Sequence, residues 1–507
     1  MSLDAALSIA SGSLANINRQ LALVSQNVAN ASTPGYVRET STQQSVTADG
    51  VGMGVRSGPA QRSIDAVLQA GVLSQNAAVS ALQTRQAALQ AIDTAQGTPG
   101  QGSDLPSLLG NLQDAFSTLA GNPGNGTQQQ AVVSVAASLA SGINALSGVY
   151  TSQRQAAQDA IGSDVGSLNT ALGTVNALTQ QIITLKASGQ STADLENQRD
   201  ASLQDISHLV DLKVLQQDNG TLVLNLGSGL SVPLGTSNPF SVAPASIGAG
   251  AYHPGGGIPG IMLGGADVTV QVTGGSLGAN IALRDATLPT DQGELDEFAH
   301  GLASRLDAQG LRLFSDPAGA VPSGGGTTPQ AGYVGFAAQI QVNPAVRANP
   351  AAVRDGTQAV AGSPTGASAF TPSPPGGPAG FTGLTSRVLD YAFGNQVQSG
   401  VTQPGLNTSG LGPTGTLAAP YGGNGSLATL ATALVGAQAQ DSAATTSQLT
   451  SEQAVQTSLQ GKLSAESGVS IDAEMSTMVQ LQNAYGASAR LISAAQAMWT
   501  QLLGTVQ

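Results

Sequence analysis

Side chains that commonly carry chemistry are sparse in this chain. Three histidines are present, His208, His253 and His300, and no H-E-x-x-H or other metal-ligand spacing links them. Cysteine is absent from all 507 residues, which excludes thiolate ligands and disulfides. Serine is plentiful, but no G-x-S-x-G motif lies between a strand and a helix. The sequence therefore predicts a protein that is not an enzyme and has no metal site and no cofactor.

Gly255 to Gly260 has the spacing G-x-G-x-x-G, which in dinucleotide-binding proteins brings a helix N-terminus to a pyrophosphate. Here Pro259 occupies the position where that helix would begin, and Ile261 onward is typical of a strand. A loop is the better interpretation.

One local cluster of charges is more distinctive, because only 9% of the residues are charged. Asp194, Glu196, Arg199 and Asp200 lie together, and Glu196 and Arg199 are at helical spacing. Two interpretations stay open, a solvated helix face and a clamp between helices.

Two aromatic residues are candidates for contacts. Trp499, the only tryptophan, lies on an apolar stripe and is expected to anchor packing or an interface rather than to stack on a ligand. Tyr36 follows a Pro-Gly turn, and packing over the preceding helix is favoured over a contact between subunits.

The elements that must position these groups begin with two terminal helices. From Leu3 to Val28 apolar residues alternate at spacings of four and three, which is a heptad seam. From Ile471 to Leu502 nearly the same alternation recurs. We expect the two helices to pair antiparallel and to leave their other faces for neighbouring subunits. The predicted assembly interface comprises Leu3, Leu7, Leu14, Ile17, Leu21, Val24, Val28, Ile471, Met475, Met478, Leu481, Tyr485, Ile492, Trp499 and Leu502.

Between the termini, helical periodicity dominates up to about residue 210, apart from a short hairpin-like excursion around Val51 to Val55. Ser63 is expected to cap the helix that follows it. Leu222 to Leu226 after the Asn219–Gly220 turn predicts a hairpin, and alternation of Val268, Val270 and Val272 predicts a strand.

The fold class predicted is multidomain α+β: an elongated α-helical rod with coiled-coil-like paired terminal helices and inserted β-rich middle domains. The expected domains are 1–36 paired with 467–507; a rod of 37–211 completed by 283–314 and 426–466; a β-rich domain of 212–282; and a Gly/Pro-rich insertion of 315–425 exposed on the outside.

Net charge and the start of the chain restrict the partners. The charge is −13, and nucleic acids and anionic membranes both require a basic footprint, so neither is expected. The first residues lack the basic and apolar regions of a cleaved secretory signal, and no apolar run is expected to span a membrane.

Residues 25–38 (SQNVANASTPGYVR) resemble the N-terminal signature of bacterial flagellar rod, hook and hook-associated proteins. The signature turn comprises Asn27, Asn30, Thr33, Pro34, Gly35 and Tyr36. Residues 194–200 (DLENQRD), 274–289 and 467–493 resemble the hook-associated members that form the first hook–filament junction. Ser470 and Gly486 depart from the family pattern, where Asn and a longer side chain are usual, and Gly486 is expected to interrupt its helix.

The resemblance implies a structural, self-assembling protein whose terminal helices line the flagellar axial channel in a ring of identical subunits. Its implied partners are the hook protein, the second junction protein (hook-associated protein 3), and an export chaperone with the export apparatus. The implied location is extracellular, at the hook–filament junction, reached without a cleaved signal peptide. Alternatives are a secreted surface adhesin, another axial protein such as the hook or second junction protein, and a wall or glycan hydrolase concealed in 315–425.

Overall fold

The computed structural model describes residues 3–33, 35–48, 51–98 and 100–504. Pro34 of the signature turn and the side chains of Leu3 and Leu502 lie outside the described residues. The helices are α1 Leu3–Ala29, α2 Ala66–Gln96, α3 Leu105–Gly121, α4 Gly126–Ala187, α5 Ala193–Leu209, α6 Gly275–Ala282, α7 Leu288–Ala308, α8 Pro344–Ala348, α9 Ala352–Asp355, α10 Gly383–Arg387, α11 Leu427–Ser467 and α12 Ile471–Gly504.

The strands are short apart from the first two, which form the antiparallel hairpin predicted around Val51 to Val55. They are β1 Glu39–Ala48, β2 Val51–Arg62, β3 Leu212–Gln216, β4 Leu222–Leu226, β5 Ser231–Val232, β6 Phe240–Ser241, β7 Met262–Leu263, β8 Ala266–Asp267, β9 Phe314–Ser315, β10 Gln341–Val342, β11 Gln396–Gln398, β12 Val401–Thr402, β13 Ser409–Leu411 and β14 Leu417–Ala418. With the long helices, these small sheets confirm the predicted fold class.

Helix α4 is the longest helix of the rod in the described part of the chain. Its 62 residues span about 93 Å at 1.5 Å per residue. Asn125 begins it, because its side-chain oxygen accepts hydrogen bonds from the amides of Thr127 and Gln128. By length and composition alone this helix could cross a membrane. Its apolar side chains, such as the fully buried Leu139 and Ile182, instead lie against other parts of the protein.

Two apolar cores follow one another along α4. The larger joins the first part of α4 to α2, α3, α7 and α11, and it contains Phe116, Leu139 and Leu302 with no exposed surface. The smaller joins the second part of α4 to α5, α6 and the β3–β4 hairpin, with Ile206 and Leu224 fully buried.

Residues 315–425 are irregular, as expected, but they are not simply exposed on the outside. Ile340, Val353, Leu384 and Val388 from this segment have no exposed surface and belong to the larger core. The prediction that this segment is exposed on the outside was wrong on this point. Its composition is dominated by Pro and Gly, and the apolar residues that it contributes to the core are scattered singly along the sequence.

The hairpin predicted around the Asn219–Gly220 turn is confirmed, because β3 and β4 pair antiparallel without a break in register. The strand predicted at Val268, Val270 and Val272 was wrong. Thr269–Gln271 form a 3₁₀ turn, which buries Val268 and Val272 on one side and leaves Val270 81% exposed. Residues 255–260 form a loop with no helix after it, so the loop interpretation is confirmed.

Several helices differ from expectation in where they begin, end or continue. Asp65, not Ser63, caps α2, because its carboxylate accepts from the amides of Val67 and Leu68 at 2.8 and 3.0 Å. The helical stretch predicted from residue 283 already begins at Gly275, and α7 ends at Ala308. Helix α12 continues through Gly486 without interruption.

Candidate assembly interface

The two terminal helices pair with each other, as predicted. Their directions follow from contacts at one end. The Arg38 amide, just after α1, donates to the Ser467 carbonyl at 2.9 Å, and the Arg38 guanidinium pairs with Glu474 in the first turn of α12 at 2.5 Å. The end of α1 therefore meets the start of α12, and the pair is antiparallel.

Part of the predicted seam is covered by this pairing. Ile17 and Val24 are 7% and 6% exposed, and Ser488 and Ala495 on α12 are also buried. The predicted residues that are half-buried are Leu14, Leu21, Val28, Met478, Leu481 and Ile492. These positions form the side of each helix that the chain itself covers.

Other predicted seam residues remain open to solvent. These are Leu7, Ile471, Met475, Tyr485 and Trp499, with exposed fractions between 36% and 51%. The pair does not cover them, so they are available to other molecules.

Further exposed apolar residues lie on α12 outside the predicted heptad seam. Val479, Leu491, Met498 and Leu503 are each more than half exposed. Leu491 and Met498 are seven residues apart, so they lie on one face of the helix beside the seam. An apolar spacing of seven parallel to the main seam was the signal that could have revealed them.

The hairpin lies beside α1 and adds to this surface. Val46, Met53 and Val55 are 42–43% exposed on it. Helix α1 packs against β2, so these residues continue the apolar surface beyond the helical pair.

Asn27 organises the signature turn. It is 1% exposed, its side-chain nitrogen donates to the Glu39 carbonyl at 2.9 Å, and its oxygen accepts from the Glu39 amide at 3.1 Å. The Tyr36 hydroxyl donates to the same oxygen at 3.0 Å, which confirms that Tyr36 packs over the end of α1. An amide side chain can do this because it carries a donor nitrogen and an acceptor oxygen side by side.

The other described residues of the turn shape the chain. The Asn30 side chain donates to the Gln26 carbonyl at 3.1 Å, and the Thr33 hydroxyl donates to Asn30 at 3.4 Å. Gly35 has a φ of +77°, where other L-residues are strained, and a Cβ there would lie 3.0 Å from the Gln204 side chain.

The charged cluster on α5 is a clamp rather than a solvated face, but it joins α5 mainly to the end of β2 and only through Lys186 to another helix. The Arg62 guanidinium, at the end of β2, donates to Glu196 at 3.1 Å, to Asn197 at 3.0 Å and to Asp200 at 2.7 Å. The Arg62, Glu196 and Asp200 side chains are at most 12% exposed. Burial raises the pKa of Glu196, but Arg62, the Thr192 hydroxyl and Lys186 outweigh it and lower that pKa.

Arg199, which helical spacing predicts as a partner of Glu196, has a different role. It is fully buried, and one of its terminal nitrogens donates to the Gly220 carbonyl at 3.0 Å in the turn between β3 and β4. The ion pairs of Glu196 in the described chain are with Arg62 and Lys186.

The clamp also holds the signature turn through Asn197. Its side chain accepts from the Val37 amide and donates to the Val37 carbonyl, both at 3.3 Å, and donates to Glu39 at 3.2 Å. Glu39 is 3% exposed. Burial and the neighbouring carboxylate of Asp194 raise its pKa to about 7, although Arg62 opposes them. The DLENQRD segment thus fixes the terminal region to the rod.

The histidines do not assemble a catalytic site in the described part of the chain. His300 stacks on Tyr333 at 3.9 Å, and its Nε2 lies 2.9 Å from the Pro322 carbonyl and 3.2 Å from the Ser304 hydroxyl. When Nε2 carries a proton and donates it to the Pro322 carbonyl, that nitrogen has no free lone pair. It therefore cannot accept a proton from the Ser304 hydroxyl. His253 is paired with Asp267, and no group of metal-ligating residues is found among the described residues.

Two family models match the chain. Residues 89–317 match the flagellar hook-associated protein FlgK helical domain, and residues 459–505 match the flagellar basal body rod FlgEFG protein C-terminal domain. The first covers most of the rod and the β-rich middle, and the second covers α12.

Similar proteins include flagellar hook-associated protein 1 of Salmonella typhimurium, 28% identical over 44% of this chain and 41% of that protein. The protein of the same name from Escherichia coli K12 is 25% identical over 56% of this chain and 53% of its own length. That from Bacillus subtilis is 25% identical over 41% and 43%. The chain thus spans about two fifths to half the length of these relatives.

A solved structure of the flagellar hook junction protein FlgK from Burkholderia pseudomallei has a TM-score of 0.41 at 23% identity, over 50% of this chain and 45% of that chain. This similarity is too partial to assign a position or a role to any residue of this chain.

Over residues 89–317 and 459–505, the chain is similar to domains of axial proteins of the bacterial flagellum. Within that class, the relatives named above are all flagellar hook-associated protein 1, and the chain resembles that protein over about half of its length.

Proposed function

We propose that this protein is a structural component of the flagellum that joins hook to filament as a junction ring, self-assembling through α1 and α12. The carrying observation is the uncovered apolar surface of α12, which a monomer leaves in water. Exposed apolar surface of this kind commonly marks an interface. The terminal helices would line the axial channel, and the β-rich middle would face outward.

The proposed partners are identical subunits, the hook protein and hook-associated protein 3. An export chaperone and the flagellar export apparatus would deliver the chain outside the cell without cleavage of a signal peptide. A nucleic-acid or membrane partner is not proposed, because the net charge is −13. The role is structural rather than enzymatic.

The test is electron microscopy of a deletion strain, with the full-length gene restored as the control. Hooks without filaments are the expected result, because the next junction protein would have no platform. Cells with intact hooks and filaments would contradict the proposal.

A second candidate is another axial protein, the rod or the hook, because residues 459–505 match a segment described for rod proteins. The same micrographs separate the two candidates, since loss of the whole hook would favour a hook or rod protein. The match of residues 89–317 to the hook-associated helical domain favours the junction.

A further inference from the structure

A pocket of about 900 Å³ lies between α2, α7 and α11, away from the terminal helices, and is bordered by Pro420 and Tyr421. Small residues form much of its wall, among them Ala286, Ala433, Gly436 and Ala437. These walls offer aliphatic surface and leave room for a chain of methylene groups.

Two acidic side chains of α7 line the pocket with no hydrogen bond at one oxygen each. Asp291 and Glu294 are 9% and 3% exposed. The Asp291 Oδ2 and Glu294 Oε2 atoms have no hydrogen-bond partner in the described part of the chain. A buried oxygen without a donor costs free energy. Two donors at the same pocket, Arg85 Nε and Gln438 Nε2, are also buried without a partner, so they do not satisfy these oxygens, and a donor from another molecule would.

The other charges of the pocket do not neutralise this pair. The Arg85 guanidinium is held by Asp441, with one terminal nitrogen 2.8 and 2.9 Å from the two carboxylate oxygens. The positive charge of Arg85 is therefore already paired with the carboxylate of Asp441 and does not neutralise Asp291 and Glu294. When the two carboxyls are ionised, a ligand that satisfies the remaining oxygens must bring both protons to donate and positive charge.

We propose that this pocket binds an alkylammonium or alkylguanidinium group. Its methylene stem lies on the alanine and glycine walls, and its charged head donates to Asp291 and Glu294. Arginine and lysine side chains have this shape, with an aliphatic stem and a charged head. A metal ion fits less well, since no group of three metal-ligating side chains exists among the described residues.

Binding is coupled to proton release. Burial raises the pKa of Glu294 to about 8 and raises the pKa of Asp291. The charged and titratable groups around the two carboxyls are Arg85, Asp441, Tyr150 and Tyr421. Tyr421 is also a hydrogen-bond partner of Glu294, and the side chain of Gln438 lowers the pKa of Asp291 against the effect of burial. A cation that displaces the carboxyl protons binds more tightly as pH rises through this range.

The test is isothermal titration of the full chain with n-butylammonium and n-butylguanidinium, with n-butanol as the neutral control. We expect saturable binding of both cations and none of the alcohol, with tighter binding at about pH 9 than at about pH 6. Glu294→Gln and Asp291→Asn should each weaken binding by roughly tenfold, the loss of one charge-assisted hydrogen bond. Asp114→Asn, an exposed acid on α3, should leave the affinity unchanged.

Melting curves check that the variants are folded, and neither pocket variant should melt below wild type, because each replaces a buried acid that has no ion pair among the described residues. Absence of saturable binding to the wild type would overturn the proposal. Equal binding by the wild type and both pocket variants would overturn it as well.

Two kinds of molecule carry such a cation. One is a second copy of this chain, through a basic side chain, and the other is a free amine. Sedimentation of the assembling chain separates them. Dissociation by n-butylguanidinium in wild type but not in Glu294→Gln assigns the pocket to a second copy, and unchanged assembly assigns it to a free amine. The titration is made on dissociated chains, so it stands or fails independently of the junction role.

Discussion

The rod and the terminal helical pair are both rich in apolar side chains, but they differ in what covers them. In the rod, Phe116, Leu139 and Tyr150 have no exposed surface, because α3, α7 and residues of 315–425 close around α4. On α12, Leu491 and Met498 are 64% and 54% exposed beside a seam that one helix covers. Apolar surface in the rod stabilises one chain, whereas on α12 it remains available for other chains.

The largest effect is expected where a charge enters the half-covered seam. Ile492→Asp should abolish assembly while the rod stays folded, because a carboxylate cannot be buried there without a partner. Motility and assembly of purified protein measure it, and circular dichroism checks the rod. Asn483→Asp, at an exposed position of the same helix, is the control and should assemble. Unimpaired motility with Ile492→Asp would contradict the account.

A core substitution should give the opposite pattern. Leu139→Ala should lower the free energy of unfolding by about 2–5 kcal/mol, because it leaves a cavity in a closed core. Leu491→Ala should change it by less than about 0.5 kcal/mol, yet weaken assembly. Denaturant unfolding and sedimentation measure the two quantities. Val270→Ala, 81% exposed in the β-rich middle, should alter neither. Equal loss of stability in Leu139→Ala and Leu491→Ala would remove the distinction.

The clamp connects the two regions. Arg62→Met should cost about 3–5 kcal/mol, since it leaves Glu196 and Asp200 buried without their partner. Arg312→Met, whose ion pair with Asp307 is 36% and 24% exposed, should cost about 1 kcal/mol or less. Thermal melts measure the loss of stability in each variant, and hydrogen exchange in residues 35–62 shows whether the loss is at the clamp. The clamp would lose its assigned role if both variants behaved alike.

The smallest effect concerns pH. Glu39 has its pKa raised to about 7 in the folded chain, so folding favours its protonated form. Its contribution to stability is complete below the ordinary glutamate pKa of about 4.5 and is lost as pH rises through about 7. Protection factors of the hairpin amides should therefore fall between about pH 5 and about pH 8. Glu39→Gln should flatten this dependence, and an unchanged slope in that variant would show that another group titrates.

Much of the helical framework follows from local chemistry. Heptad spacing predicted the terminal pair, and the turn at Asn219 and Gly220 predicted the hairpin of β3 and β4. The proline within Gly255 to Gly260 correctly excluded a nucleotide-binding helix. These elements depend on neighbours within a few residues, which a sequence displays directly.

Apart from the pairing of the terminal helices, contacts between distant segments could not be predicted in this way. Helical spacing pointed from Glu196 to Arg199, whereas its partner Arg62 lies 134 residues earlier. The burial of Val353 and Leu384 depends on where α4 and α7 pass, which composition does not encode. The side faces of α12 were missed because only one stripe was followed.

Hydrogen exchange of the terminal helices, measured in the isolated monomer and again after assembly, tests the central claim most directly. We predict fast exchange over residues 3–30 and 467–504 in the monomer, at least about 100-fold faster than in α4, and strong protection after assembly. Terminal amides as protected in the monomer as those of α4, with no change on assembly, would contradict it.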